Sequence, residues 1–227
     1  MKAVYSVSKS QILPYPNRMP IEYTVFSKKE LQVIRRLNTP SKVQNFVTGL
    51  SYNQSHRISI ASVLRQRKAD CLEAAAFASI ALSYHRIPNF IMDLTSVRDE
   101  DHVLCVFKQL ERYGSIGQSK FLGLRYRNPV YVSLRELAMS YFESYYNYFG
   151  EFTLRGYSKP LSLRNLSGEQ LTGAAFMHKL EERLCTIDHV QLVPEDIRLA
   201  RVSPTKFKQE VMLIPRGTRI GKLYGRD

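Results

Sequence analysis

Two side chains in this sequence, those of Cys71 and His102, are suited to nucleophilic catalysis. Asp70 and Glu73 flank Cys71 in a capping-box pattern, and an alanine-rich apolar run follows, so the sequence predicts a helix beginning at Cys71. A cysteine at a helix N-terminus meets unpaired backbone N–H groups and the positive end of the helix dipole, which both favour the thiolate. The same N–H groups can bind the oxyanion that forms when a thiolate attacks an acyl carbon.

His102 begins a predicted strand that runs to Lys108. Side chains alternate along a strand, which places His102, Leu104 and Val106 on one face and Asp101, Val103, Cys105 and Phe107 on the other. Cys105 therefore does not stand beside the imidazole, whereas a helix packed on the sheet can bring Cys71 to it. A buried structural cysteine and a histidine at a strand edge would explain the same residues without chemistry.

Capping residues and apolar spacing predict the elements that position this pair. Helices are expected from Ser27, from Thr39-Pro40 and over Ser59–Arg65. The helix that begins at Cys71 is apolar nearly all round, which indicates burial on several sides, and it ends at His85.

The second half of the chain is predicted to begin with strands and continue with helices. Strands are expected at 90–95, 102–108 and 113–119, followed by a long amphipathic helix from Leu134 to near Gly150. The aromatic cluster at 141–149 is interpreted as core rather than as a stacking platform. Further on, the sequence predicts helices at 169–184 and 194–200 and a hairpin over 208–224.

The composition narrows the class of protein. The chain has 227 residues, 44% of them hydrophobic, and its three cysteines are too few for a disulfide framework. The N-terminus has no signal-peptide core and no apolar run is long enough for a membrane span, so we expect a soluble cytoplasmic protein.

The net charge and the motifs of the sequence indicate which kinds of partner and cofactor to expect. A net charge of +13 favours an anionic partner, although a solvated basic surface, including the basic C-terminal segment, explains it equally well. Nucleic-acid binding is not favoured, because the sequence has no nucleic-acid-binding signature. No cofactor or metal is expected either, since there is no glycine-rich phosphate loop or Cys-x-x-Cys motif and the remaining histidines are dispersed.

Residues 70–75 and 101–106 together resemble the transglutaminase-like superfamily, a rearranged branch of the papain-like cysteine-nucleophile proteins. Four further segments resemble a group of uncharacterised bacterial transglutaminase-like proteins: 37–46, 113–119, 127–131 and 134–142. The resemblance implies an α+β fold in which the buried Cys helix packs on a small antiparallel sheet that carries the His. It implies a core over 27–165, with an N-terminal arm at 1–26 and a C-terminal extension at 166–227 packed on the core.

The resemblance also implies an Asp or Asn that ends the strand after the His strand and orients the imidazole. The predicted strand ends at Ser119 with no acid, so Ser119 and Asn128 are the candidates for this role, and Asp101 is discounted because it points to the other face. Two hypotheses follow. The first is a cysteine hydrolase or acyltransferase acting on a peptide or amide carbonyl, with hydrolysis favoured because no amine-binding feature is visible. The second is a catalytically degenerate module that binds or scaffolds through its basic surface.

Overall fold

The computed structural model of the chain describes residues 21–194 and 196–211. These residues form eight helices: α1 (Lys28–Arg36), α2 (Pro40–Thr48), α3 (Ile60–Gln66), α4 (Cys71–Tyr84), α5 (Leu134–Met139), α6 (Gly168–Thr172), α7 (Ala174–Thr186) and α8 (Pro204–Val211). They also form eight strands: β1 (Ser51–Tyr52), β2 (Lys68–Ala69), β3 (Asn89–Ser96), β4 (His102–Gln109), β5 (Arg112–Ile116), β6 (Arg127–Tyr131), β7 (Leu154–Ser158) and β8 (His189–Gln191). The fold class is therefore mixed α+β, as the sequence predicts.

Six of the strands form one sheet in the order β6-β5-β4-β3-β7-β8, and every neighbouring pair is antiparallel. The central pair is β3 and β4, in a register that sets Leu94 opposite His102 and Asp93 opposite Val103. A separate parallel pair, β1 with β2, immediately precedes α4. The sequence predicted β3, β4 and β5 but missed the three outer strands of the sheet.

The sheet separates two apolar clusters. On one face, the almost wholly apolar α4 packs on Val103, Cys105 and Phe107, and the other N-terminal helices pack around α4. On the opposite face, Leu104 and Val106 pack with α5 and with the buried rings of the segment that follows it. The side chains of β4 therefore divide between the two faces as strand alternation requires.

Four of the predicted helix starts are confirmed. Ser27 with Glu30 and Asp70 with Glu73 form complete capping boxes, and Thr39 caps α2 with Pro40 in its first turn. Ser59 caps α3 in the same manner. These signals are local in sequence, because each cap satisfies N–H groups within its own first turn.

The long helix predicted from Leu134 to near Gly150 is wrong in its length. Helix α5 ends at Met139, and a 3-10 turn follows at Phe142–Ser144. The Ser140 hydroxyl donates to the Leu137 carbonyl at 2.6 Å, a bond that competes with the regular helical pattern. Tyr141, Tyr145 and Tyr146 are nevertheless buried, so the interpretation of the aromatic cluster as core is confirmed for these rings. It is wrong for Phe149, which is 58% exposed.

The C-terminal predictions are partly wrong. The helix predicted at 169–184 is two helices, α6 and α7, and residues 196–200 form no helix. On either side of this second segment, the backbone N–H groups of Leu192 and Val202 donate to the carbonyls of Arg155 and Gly150. Residues 208–211 belong to α8 and not to a hairpin, and the rest of the predicted hairpin lies outside the described residues, as does the arm before residue 21.

Over the ranges that the structure describes, no helix combines the length and apolar character needed to cross a membrane.

Candidate functional site

Cys71 is the first residue of α4, with Asp70 as its N-cap. Its side chain is partly exposed, in contrast to the fully buried Cys105, which lies beneath α4 on the sheet. The backbone N–H of Val103 is near enough to the Cys71 sulfur to lower the pKa of the thiol. Because Val103 directly follows His102, this contact brings the first turn of α4 to the beginning of β4.

Glu73 fixes the surroundings of Cys71. Its carboxylate is fully buried and accepts hydrogen bonds from the N–H groups of Asp70 at 2.9 Å and Ile58 at 2.8 Å. The Asn53 amide donates to both of its oxygens at 2.9 Å. The capping pattern predicts the first of these contacts, and the others extend the cap to the loop between β1 and α3.

The thiol of Cys71 is harder to ionise than its position at the helix start suggests. Burial raises its pKa most, and the negative charge of Asp70 raises it further, whereas the Val103 N–H and Arg57 act in the opposite direction. Loss of solvation therefore opposes the effect expected from the helix N-terminus. The raised pKa favours the neutral thiol in the free protein.

His102 is buried on the sheet face opposite α4, with its ring edge-on to Tyr141 at a centroid distance of 6.4 Å. Its Nε2 atom lies 2.7 Å from the carbonyl oxygen of Leu124. A carbonyl only accepts, so Nε2 carries the proton and Nδ1 has the free lone pair in the neutral ring. Burial lowers the pKa of His102 to about 4, although the Leu124 carbonyl acts to raise it, so the ring is neutral at pH 7.

Cys71 and His102 both line a small cavity of about 50 Å³ at the start of β4. Their side chains approach it from different faces of the sheet, since α4 packs on the face of Val103. No hydrogen bond joins the Cys71 sulfur to the imidazole. Cys71 and His102, whose neutral ring has a free lone pair on Nδ1, therefore border the same small cavity.

Neither candidate for the third residue contacts the imidazole. Asn128 is exposed on β6, which contradicts its assignment to the site. Ser119 lines the small cavity, but its hydroxyl accepts from the Phe121 N–H at 3.1 Å and forms no bond with His102. The orienting group is instead the backbone carbonyl of Leu124, which no side-chain pattern in the sequence could have revealed.

Two glutamines explain why the end of β5 does not orient His102. The Gln44 amide from α2 bonds to both the N–H and the C=O of Gly117 at 3.1 Å, as a neighbouring strand would. The Gln118 amide donates to the carbonyls of Val47 and Leu50. These bonds turn the chain after Ile116 toward α2, so that this segment serves to hold the helix.

A larger cavity of about 590 Å³ opens on the other side of Cys71. Among the described residues that line it are five carboxylates and two cations: Asp70, Asp93, Glu100, Asp101 and Glu181, with Arg57 and Lys120. Arg57 forms ion pairs with Asp70 and Glu181, and Lys120 lies 4.7 Å from the centroid of the Tyr52 ring. These five carboxylates form an acidic wall that the sequence did not predict, because they come from four separate parts of the chain.

Within the described ranges, no three His, Cys, Asp or Glu residues are grouped so that they could hold a metal ion. A search against family models and a search of curated proteins each found no match for the chain.

Proposed function

We propose that the chain is a transglutaminase-like cysteine hydrolase or acyltransferase that attacks a peptide or amide carbonyl with Cys71. The observation that carries the proposal is the bond from His102 Nε2 to the Leu124 carbonyl. It holds the imidazole in the tautomer whose Nδ1 can accept a proton, in a cavity that Cys71 also lines. The carbonyl takes the positional role that an Asp or Asn has in other triads.

The reaction begins from a neutral thiol and a neutral imidazole. His102 Nδ1 takes the thiol proton as the Cys71 sulfur bonds to the acyl carbon, and N–H groups of the first turn of α4 stabilise the oxyanion. The leaving amine then takes the proton from Nδ1 as the C–N bond breaks, which leaves a thioester. Water, activated by the same nitrogen, releases the acid and restores the thiol; an amine in place of water would give acyl transfer.

A second candidate function is a binding module that keeps the fold without catalysis. It is favoured by the raised pKa of the Cys71 thiol and by the absence of a hydrogen bond between the thiol and His102. Such a module would dock an anionic partner on the basic surface that the net charge of +13 provides.

Acyl transfer from a p-nitrophenyl ester to the full chain distinguishes the two functions. A Cys185→Ser background removes the exposed thiol, and intact-mass spectrometry then follows acylation. We expect one acyl group on Cys71, no acylation after Cys71→Ser, and a rate about 100-fold lower after His102→Gln. Glutamine can still donate to the Leu124 carbonyl, so this variant removes the base while keeping the bond.

His178→Gln is the matched control, because His178 is exposed on α7 and lines neither cavity. It should be acylated at the rate of the background protein. Acylation of His102→Gln at that same rate, or no acylation of Cys71 at all, would contradict the enzymatic function and leave the binding module.

A further inference from the structure

The larger cavity is lined by a buried carboxylate, that of Asp93, one oxygen of which has no hydrogen-bond partner. Asp93 lies on β3 opposite Val103 and lines the cavity together with Cys71. Asp93 is only 4% exposed, and its Oδ1 atom has no hydrogen-bond partner. The nearest cationic candidate is His189, whose Nε2 lies 3.8 Å from Asp93 Oδ2. A carboxylate removed from water without a partner costs free energy, which a bound cation would recover.

Asp101 adds a second negative charge to the same wall. It lines the cavity and raises the pKa of Asp93, which shows that the two carboxylates are close enough to interact. Asp101 Oδ1 accepts from the N–H of Ser96 at 2.7 Å, and this bond fixes the carboxylate in place. The side chain is therefore positioned without being neutralised.

The described part of the chain supplies no lysine or arginine for this pair. Arg57 is held by Asp70 and Glu181, and the ammonium of Lys120 rests over the Tyr52 ring. No lysine or arginine of the described residues lies within ion-pair distance of Asp93 or Asp101. Apart from His189, which is charged only when protonated, the positive charge that the pair attracts would come from a ligand.

We propose that Asp93 and Asp101 form a subsite for the ammonium or guanidinium group of a basic side chain in the peptide that Cys71 attacks. The cavity volume of about 590 Å³ is sufficient for a lysyl or arginyl side chain together with the adjoining backbone. The cation is recognised and is not consumed. This substrate class rests on the proposed function, whereas the binding of the cation can be measured without catalysis.

The acidic wall favours a cationic ligand, whereas the net charge of the whole chain favours an anionic partner. A net charge of +13 attracts anions at long range, but the cavity itself is lined by five carboxylates and two cations among the described residues. Local charges dominate within a cavity because water and salt screen the distant ones. The ligand at Cys71 should therefore differ in sign from any partner of the outer surface.

The test measures binding to the Cys71→Ser protein by isothermal titration calorimetry. The ligands are Nα-acetylarginine amide and Nα-acetyllysine amide, each paired with its neutral isostere, Nα-acetylcitrulline amide and Nα-acetylnorleucine amide. We expect at least one cation to bind about tenfold more tightly than its isostere. Asp93→Asn should reduce this preference to about twofold or less. Equal binding of cations and isosteres, or an unchanged preference in Asp93→Asn, would overturn the subsite.

Two further variants keep the result decisive. Glu111→Gln removes one negative charge at the exposed β4–β5 turn, away from the cavity, and should retain the full preference. Asp101→Asn replaces Asp93→Asn if the latter does not fold, and it should also lower the preference. If cations bind preferentially but Cys71 is not acylated, the subsite is supported and the enzymatic function is contradicted. If Cys71 is acylated but cations do not bind preferentially, the enzymatic function is supported and the subsite is contradicted.

Discussion

The Nε2 atom of His102 donates to the backbone carbonyl of Leu124 across 2.7 Å, and this bond decides which ring nitrogen can act as a base. A carbonyl differs from a carboxylate in that it orients the ring without contributing a full negative charge. The imidazolium is therefore stabilised less than in a triad with an acid, which accords with a His102 pKa of about 4.

His102 should remain in the Nε2–H form down to low pH. We expect its ring ¹⁵N shifts to show a single neutral tautomer between pH 7 and about 5, and protonation only as the pH falls toward its pKa of about 4. Nuclear magnetic resonance of the labelled protein measures this, with His102→Gln identifying the signals. A titration midpoint near 6.5, or a protonated Nδ1 in the neutral ring, would contradict the arrangement.

Glu73→Gln should destabilise the fold strongly. The amide would turn a donor toward the N–H groups of Asp70 and Ile58, which the buried carboxylate now satisfies. We expect a loss of about 2–4 kcal/mol in the free energy of unfolding, measured with urea. Glu30→Gln is the control, because it alters a capping box of the same form at the protein surface. It also weakens the ion pair with the half-exposed Arg65 and should still cost less than about 1 kcal/mol.

Gly117→Ala should displace the imidazole. A Cβ atom at this position would lie 2.9 Å from Leu104 Cδ2 and 3.3 Å from His102 Nε2. We expect a cost of about 1–3 kcal/mol in stability and a slower acylation of Cys71, because the bond to Leu124 must shift. At Gly49 the nearest atom would be 3.5 Å away, an ordinary contact, so Gly49→Ala should change neither quantity appreciably.

Asp93→Asn should change how stability depends on pH. Burial and the charge of Asp101 raise the pKa of Asp93 to about 7 from an ordinary value of 3.8. The folded state thus retains a proton that the unfolded chain has lost, and stability falls as the pH rises from about 4 to 7, by at most about 1.4 kcal/mol per pH unit. Asparagine removes this component. As the pH rises from about 4 to 7, the free energy of unfolding of the variant should therefore increase relative to that of the wild type.

Urea unfolding at pH 4.5, 6.0 and 7.5 measures the difference between the two proteins. Comparing variant with wild type cancels groups common to both, including His102, whose lowered pKa makes stability fall as the pH drops from about 6.5 to 4. A difference that stays constant with pH would show that Asp93 is ionised throughout.

The features that the sequence predicted correctly are local. The capping box of Asp70 and Glu73 and the apolar run behind it lie within one helix, so the start of α4 at Cys71 follows from neighbouring residues alone. The alternation along β4 is local in the same sense. Tyr141 shows where this logic fails: its hydroxyl bonds to Ser115 and to the Arg125 carbonyl, and these tertiary contacts lie outside the period of the predicted helix.

The missing parts of the site are non-local. The Leu124 carbonyl is a backbone group, so the type of residue at that position does not indicate its role. The carboxylates of the acidic wall come together only when β3, β4 and the helices pack against one another. Asp93 did give a signal, as a carboxylate within an apolar strand, and strand alternation sets it apart from Met92 and Leu94. Asp101 was discounted because it faces away from His102, yet that face borders the cavity at Cys71.

The contacts of Glu73 have a consequence for motion. One carboxylate closes the first turn of α4 and also anchors Asn53 and Ile58, so the end of the helix and this stretch of the cavity wall share their hydrogen bonds. If the first turn of α4 frays, the loop that contains Asn53 and Ile58 loses its hydrogen bonds to Glu73. The two segments should therefore open as a single cooperative unit in hydrogen exchange. Access to Cys71 would then come through the permanent mouth of the cavity, while the helix end beneath the thiol remains closed.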